Sequence, residues 1–268
     1  MVATYEVFAI RYAHLERTAR DNFLGGDEHD GPMPLDYYVW AIVNAERTVL
    51  VDTGFDEDTA RRRGRSIVRP VADGLGAIGI SPDRVEDIVI SHMHYDHAGN
   101  HELFPSARYH VQDAEMVYCT GRCMADPQVG SVFDAAAVTA MIHKVYAGRV
   151  QFHDGDEELA PGISLHKVGG HTRGMQIVRV ATARGWVVLG SDTAHFYANL
   201  EPGRPFPILG SLPDYIEAQR TALRLASSPQ HFIPGHDPLV LARYPDARAG
   251  LEGVARLDLT PRMPTAFT

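Results

Sequence analysis

The apolar run Ile88-Val89-Ile90 stops at Ser91, and the next six positions hold His92, His94, Asp96 and His97, within the stretch VISHMHYDHAGN. With 14 histidines in 268 residues, some clustering by chance is expected. A buried strand that ends in this much imidazole is a stronger constraint. Polar titratable groups at the end of an apolar strand cost several kcal/mol each if left unpaired, on the order of the desolvation of a buried polar group. Neutral imidazole and carboxylate are ligands for zinc and similar divalent ions. One short segment cannot wrap four side chains around a single ion. The fold must therefore bring partners from elsewhere in the chain to this strand end.

Three downstream segments supply such partners. GGHTRG places His171 after the strand ISLHKV, with glycines permitting a tight turn. VVLGSDTAH places Asp192 after another apolar run, and FIPGHDP places His236 after a third. Four separate strand ends carrying ligand-type residues point to a shared metal site.

Strands are expected near 4–11, 36–43, 47–52, 86–90, 107–111, 149–153, 163–168, 175–181, 186–190 and 230–233, and helices near 57–64, 70–79, 112–119, 131–143 and 213–227. Pro213 and Asp214 start the last helix and Ser227-Ser228-Pro229 stops it. The strands fall into two clusters, each followed by helices, with no repeat, low-complexity tract or flexible linker between them. An α/β architecture follows: two sheet-plus-helix halves packed sheet against sheet in one domain over 1–268, with the helices outside. Residues 20–36 form the longest irregular stretch, a length at which loops are usually functional or mobile.

Composition narrows the function classes. The net charge of -9 argues against nucleic acid and against anionic membranes as partners. No window approaches a membrane span, and the N-terminal MVATYEVFAIRYAH lacks the pattern of a leader, so a cytoplasmic location is expected. The only cysteines are Cys119 and Cys123, which suits a reducing compartment and reads as two ordinary helix residues.

The series H-x-H-x-D-H, G-H-T, G-S-D and G-H-D, preceded by VLVDTG at 49–54, resembles the metallo-β-lactamase superfamily from about Tyr37 to Asp237. The resemblance implies an αββα sandwich of two mixed sheets with helices outside. Within that superfamily, SHMHYDHAGN, SDTAHFYANLE and PGHDP look most like the N-acyl homoserine lactonase group. That likeness implies two divalent ions, zinc foremost. His92, His94 and His171 would hold one, Asp96, His97 and His236 the other, and Asp192 would bridge, with Asp52 supporting the ligands from behind. It also implies a metal-bound hydroxide attacking a carbonyl, with Asp96 passing on the proton, and hence a lactonase of the quorum-quenching kind acting on a small molecule. Some redox relatives carry glutamate at the position of His94; imidazole there suits a hydrolytic pair. An iron-binding redox protein is the reading from a different class. Hydrolysis of another cyclic amide, ester or thioester on the same site is the nearer alternative, although thioesterase relatives of the glyoxalase II type carry a longer C-terminal region than the stretch after Asp237.

One position departs from that group. A tyrosine typically follows the bridging aspartate by three residues and hydrogen-bonds the substrate; here it is His195, with Phe196 and Tyr197 next to it. His195 could donate to an oxyanion or a leaving alkoxide, or could form pocket wall, and Phe196 and Tyr197 are candidate substrate contacts. Met175 stands where many relatives have a second histidine, so that position is not a ligand. Arg173 and Arg204 are candidates to meet a substrate carboxylate. Arg61-Arg62-Arg63 reads as a solvated helix face. Met93 and Tyr95, between the ligands, are expected to pack. Strand 36–43 is expected to bury one face and to offer the other to a loop or partner; together with the 20–36 loop it makes a homodimer possible.

Overall fold

The computed structural model describes residues 2–263. In chain order the strands are β1 (Glu6–Leu15), β2 (Leu35–Val43), β3 (Thr48–Val51), β4 (Ser66–Ile67), β5 (Asp87–Val89), β6 (Arg108–Gln112) and β7 (Val150–His153). They continue with β8 (Glu157–Ala160), β9 (Ile163–Lys167), β10 (Gln176–Thr182), β11 (Gly185–Leu189), β12 (Phe232–Ile233) and β13 (Val254–Arg256). The helices are α1 (Glu57–Arg63), α2 (Val71–Ala77), α3 (Asp113–Cys119), α4 (Pro127–Gly130), α5 (Ala135–Tyr146), α6 (Leu212–Leu225) and α7 (Leu239–Arg243).

Two mixed sheets result. The first runs β13-β1-β2-β3-β5-β6-β7, with β4 pairing β1; the second runs β12-β11-β10-β9-β8. Alternation along β1 and β2 builds the layers, because successive side chains leave opposite faces of a strand. Val7, Ala9, Tyr38, Trp40 and Ile42 meet Leu165, Ile177, Val187 and Leu189 of the second sheet. Phe8, Ile10, Tyr37, Val39 and Ala41 face outward onto Ala60, Leu75, Met116 and Met141 from helices α1, α2, α3 and α5. Strand β2 is thus buried on both faces by its own chain. The face of 36–43 expected to meet a loop or partner is covered by the chain's own helices.

Local signals set the element ends. The Asp56 side chain caps α1 by accepting from Thr59 N at 2.7 Å, and Gly64 ends the helix at φ +64°. Asn44 turns β2 into β3 by accepting from the backbone of Glu46 and Arg47, both at 2.9 Å. Asp134 caps α5 by accepting from Ala136 N, so that helix begins later than expected from 131–143.

Three strands lie outside the sequence expectation, the first being the two-residue β4 that pairs with β1. β8 carries the acidic run EELA, and β13 is short and lies near the end of the described chain, ordered by pairing Phe8 with Arg256. The 20–36 segment docks on the residues after Asp192: Leu24 N donates to Pro205 O, and Arg204 pairs with Asp27 at 2.7 Å. Among the described residues, no helix is long and apolar enough to cross a membrane.

Strands β3 and β5 run parallel, as do β11 and β12. The turns after β5, β9, β11 and β12, which carry the ligand candidates, therefore gather at one end of the sandwich.

Candidate metal centre

All seven ligand candidates converge. His92, His94, His171 and Asp192 offer donor atoms within 4.8 Å of one another, and so do Asp96, His97 and His236. Asp192 stands between the two groups. Its Oδ2 lies 3.2 Å from His171 Nε2 and 3.7 Å from His92 Nε2. Its Oδ1 lies 3.0 Å from His236 Nε2 and 3.5 Å from His97 Nε2. Each carboxylate oxygen serves one group. His171 Nε2 and His94 Nδ1 come within 2.9 Å, and Asp96 Oδ2 lies 3.6 Å from His97 Nε2 and 3.8 Å from His236 Nε2.

The donor set fits divalent metal on a further observation. His92 Nε2, His97 Nε2, His236 Nε2 and Asp192 Oδ1 are all buried without a hydrogen-bond partner. Four orphaned polar atoms at one point would be costly in a core without a cation.

The opposite ring nitrogens of four of the five histidines are held. His97 Nδ1 lies 2.7 Å from Asp52 Oδ2, His92 Nδ1 lies 3.1 Å from Ser91 Oγ, His171 Nδ1 lies 2.7 Å from Ile208 O, and His236 Nδ1 lies 2.9 Å from Asp36 O. Donation from Nδ1 leaves the Nε2 lone pair for an ion. Asp52 itself is buried at φ +62° and also accepts from Ser91 N at 2.7 Å and Ser91 Oγ at 2.8 Å. Ser91 Oγ in turn accepts from Ser191 Oγ, joining the turns after β5 and β11.

Electrostatics favour the ligand forms of His92, His94 and Asp192, while the carboxylates around His97 favour its charged ring. Burial and the adjacent imidazoles push His92 and His94 well below the usual histidine range, so both are neutral. Burial opposes ionisation of Asp192, but His195, His236, His97 and His171 outweigh it and hold the carboxylate well below its usual range. For His97 burial is likewise outweighed, by Asp192, Asp96 and Asp52, and its pKa is raised.

Glu115 of α3 is a residue the sequence did not reveal. Fully buried, it accepts from Met93 N at 2.8 Å, Thr172 Oγ1 at 2.7 Å and Gly174 N at 3.0 Å. It thereby ties the His92–His97 turn to the His171 turn. No local signal marks it, since its partners lie 22 to 59 positions away. Gly174 must be glycine here, because a Cβ would collide with the Glu115 backbone.

His195 lies within the centre. Its Nε2 is 3.1 Å from Asp192 Oδ2, and its ring stacks on Phe206 at 3.4 Å and on His236 at 4.9 Å. Burial pushes its pKa down to about 3. Phe196 and Tyr197 do not join it. The turn after Asp192 rotates both into the core: Phe196 packs toward Phe206, and Tyr197 lies under Arg243, whose guanidinium is 4.0 Å from its ring. Their expected role as substrate contacts is corrected on that ground. Arg204 is likewise engaged, paired to Asp27 and stacked on Phe23 at 3.9 Å. Met93 and Tyr95 pack in the core.

A cleft of about 1050 Å³ opens beside the centre, lined by His94, His171, Phe133, Tyr118, Ile208 and Arg173 among others. Its walls are mixed apolar and polar, the make-up of small-molecule sites.

Residues 33–236 match the family model described as the metallo-beta-lactamase superfamily. The chain belongs to that superfamily. It is similar to an N-acyl homoserine lactonase of a Bacillus species, 28% identical over 64% of this chain and 70% of the relative. It is also similar to the N-acyl homoserine lactonase AiiB of Agrobacterium fabrum, 29% identical over 70% of this chain and 72% of the relative. In fold it matches a crystal structure of a quorum-quenching N-acyl homoserine lactone hydrolase with a TM-score of 0.73 at 21% identity, covering 90% of this chain and 96% of that one. The dizinc quorum-quenching lactonase AidC matches with a TM-score of 0.72 at 16% identity, covering 100% of this chain and 97% of that one. This superfamily chain is thus a hydrolase by family, with lactonases among its relatives and a His/Asp cluster suited to divalent ions.

Proposed function

We propose that the chain is a dinuclear metal-dependent hydrolase that opens a lactone ring. The position of Asp192 carries this reading, with one oxygen turned to His92 and His171 and the other to His97 and His236. The relatives named as N-acyl homoserine lactonases support the substrate class. Zinc suits a site of five imidazoles and two carboxylates without thiolate.

Two ions bound there would acidify a water and polarise the ring carbonyl. The chain's own residues do the rest. His92, His94 and His171 on one side and Asp96, His97 and His236 on the other fix the reacting space between them. Asp96 Oδ2, at the partly exposed edge of the centre, accepts the proton of the attacking water and returns it to the leaving alkoxide. His195 Nε2, beside Asp192 Oδ2, donates a hydrogen bond to developing negative charge on oxygen, and its stacking on Phe206 fixes its direction. Phe133 and Ile208 in the cleft wall shelter the apolar part of the substrate.

A hydrolysis screen of the zinc-loaded protein against lactones, cyclic amides, thioesters and aryl phosphodiesters tests the reading. Ring opening of a lactone at least 100-fold faster than the other classes, lost on chelation, is the expected result. Preference for another class with lactones untouched contradicts it.

A further inference from the structure

Arg61, Arg62 and Arg63 part company in the structure. Arg61 pairs with Asp58 and Arg62 with Asp134, whereas Arg63 turns inward and places its guanidinium 3.9 Å over the ring of Tyr95. Arg65 joins it from β4's approach, donating Nε to the Tyr95 hydroxyl at 3.1 Å. The Tyr95 and Tyr37 hydroxyls are hydrogen-bonded at 3.1 Å. Arg17, from the segment after β1, holds its guanidinium 5.4 Å from the centre of the Phe206 ring that stacks on His195.

This group borders the metal centre. Tyr95 precedes Asp96, the Tyr37 ring lies 5.3 Å from that of His236, and Arg63 donates to the carbonyls of Ser131 and Phe133 in the cleft wall. Among the described residues, none of Arg17, Arg63 and Arg65 forms an ion pair with a carboxylate, although all three are partly buried and the chain carries a net charge of -9. Half-burying three guanidinium groups together is unfavourable without a counter-charge. Packing on Tyr95 accounts for Arg63, whose donors are taken by carbonyls. Arg65 also lies over Tyr95 and Arg17 over Phe206, but neither ring carries a counter-charge. Arg17 gives Nη2 to the Asp21 carbonyl and Arg65 gives Nη1 to that of Arg63, which leaves N–H donors on both for an outside acceptor.

We propose that Arg17 and Arg65, set on Tyr37 and Tyr95 and backed by Arg63, form a subsite for an acidic substituent of the substrate, a carboxylate carried next to the ring that is opened. Planar guanidinium groups match carboxylate oxygens in geometry as well as charge. The proposal rests on the hydrolase reading for the term "substrate", but the binding of the anion does not require turnover.

Calorimetry on the zinc-loaded protein tests it with tetrahydrofuran-2-carboxylate, which has no ring carbonyl to hydrolyse, and with its neutral carboxamide. The wild type is expected to bind the acid at least 10-fold more tightly than the amide. Arg65→Gln and Arg17→Gln each weaken binding of the acid by roughly 10- to 100-fold, the scale of one lost charge-assisted hydrogen bond. Arg65→Lys, which keeps the charge, recovers part of that loss. Equal affinity for acid and amide in the wild type overturns the proposal. So does acid binding that survives both glutamine substitutions, since the carboxylate is then held by zinc alone. Arg17, in an irregular segment, gives a second variant should Arg65→Gln fail to fold. A protein that opens no lactone yet shows the arginine-dependent acid binding would keep the subsite and lose only the lactonase reading.

Discussion

Asp52 Oδ2 lies 2.7 Å from His97 Nδ1, both side chains fully buried. The carboxylate fixes which ring nitrogen carries the proton and so presents Nε2 to Asp96, Asp192 and His236. Asp52→Asn keeps the shape and removes the charge. Zinc affinity at the group containing His97 should fall by about 10- to 100-fold. A chelator competition read against the wild type measures this, and unchanged affinity would reduce Asp52 to a packing residue.

Glu115 ties two ligand turns together through three hydrogen bonds. Glu115→Ala would leave Met93 N, Thr172 Oγ1 and Gly174 N without acceptors in a sealed environment. Denaturant unfolding should show a loss on the order of 3 kcal/mol, the scale of several buried donors left unpaired. Glu115→Gln, which retains one acceptor, should lose less.

His195 replaces a position where the lactonase group typically has tyrosine. If its Nε2 supports charge developing on oxygen, His195→Phe should lower kcat on the order of 100-fold while both ions stay bound. Phenylalanine keeps the stack on Phe206, so packing loss does not confuse the comparison. Full kcat with full metal content would make His195 a wall residue.

His14 reports on pH. Its Nδ1 is 2.6 Å from Asp36 Oδ1, and the backbone carbonyl of Asp36 receives His236 Nδ1. Burial disfavours the charged ring, but the hydrogen bonds to Asp36 and Glu16 outweigh it and raise the His14 pKa above 6.5. A histidine raised in the folded state contributes stability that is fully present below its unfolded pKa and fades as pH rises through the folded value. The stability gap between wild type and His14→Gln should therefore be largest below about pH 6 and shrink as pH rises through the folded value. Paired unfolding curves across that range check the sign; a gap that widens with pH would contradict the assignment.

The clustered His and Asp residues were legible because the turns that carry them follow apolar runs: His92 comes after Ile88-Val89-Ile90, His171 after ISLHKV, Asp192 after WVVLG and His236 after Phe232-Ile233. Period-two alternation likewise marked the strands that fill the sandwich. Illegible features depend on distant partners. Glu115 and Arg65 acquire meaning only through Thr172 and Tyr95, and Arg63 looked like its two solvated neighbours until the helix end turned it inward. Strand β13 exists because β1 is there to pair with it. Adjacency misled at Phe196 and Tyr197, where the turn after Asp192 sends neighbours of a site residue into the core.

The central claim is a two-ion centre bridged by Asp192. Titrating metal-free protein with zinc and counting bound ions by elemental analysis, with lactone hydrolysis followed in parallel, tests it most directly. Two equivalents per chain are expected, with Asp192→Ala unable to retain both and hydrolysis rising only as the second ion binds. A single bound equivalent that already gives full activity, or hydrolysis that persists in the metal-free protein, would contradict it.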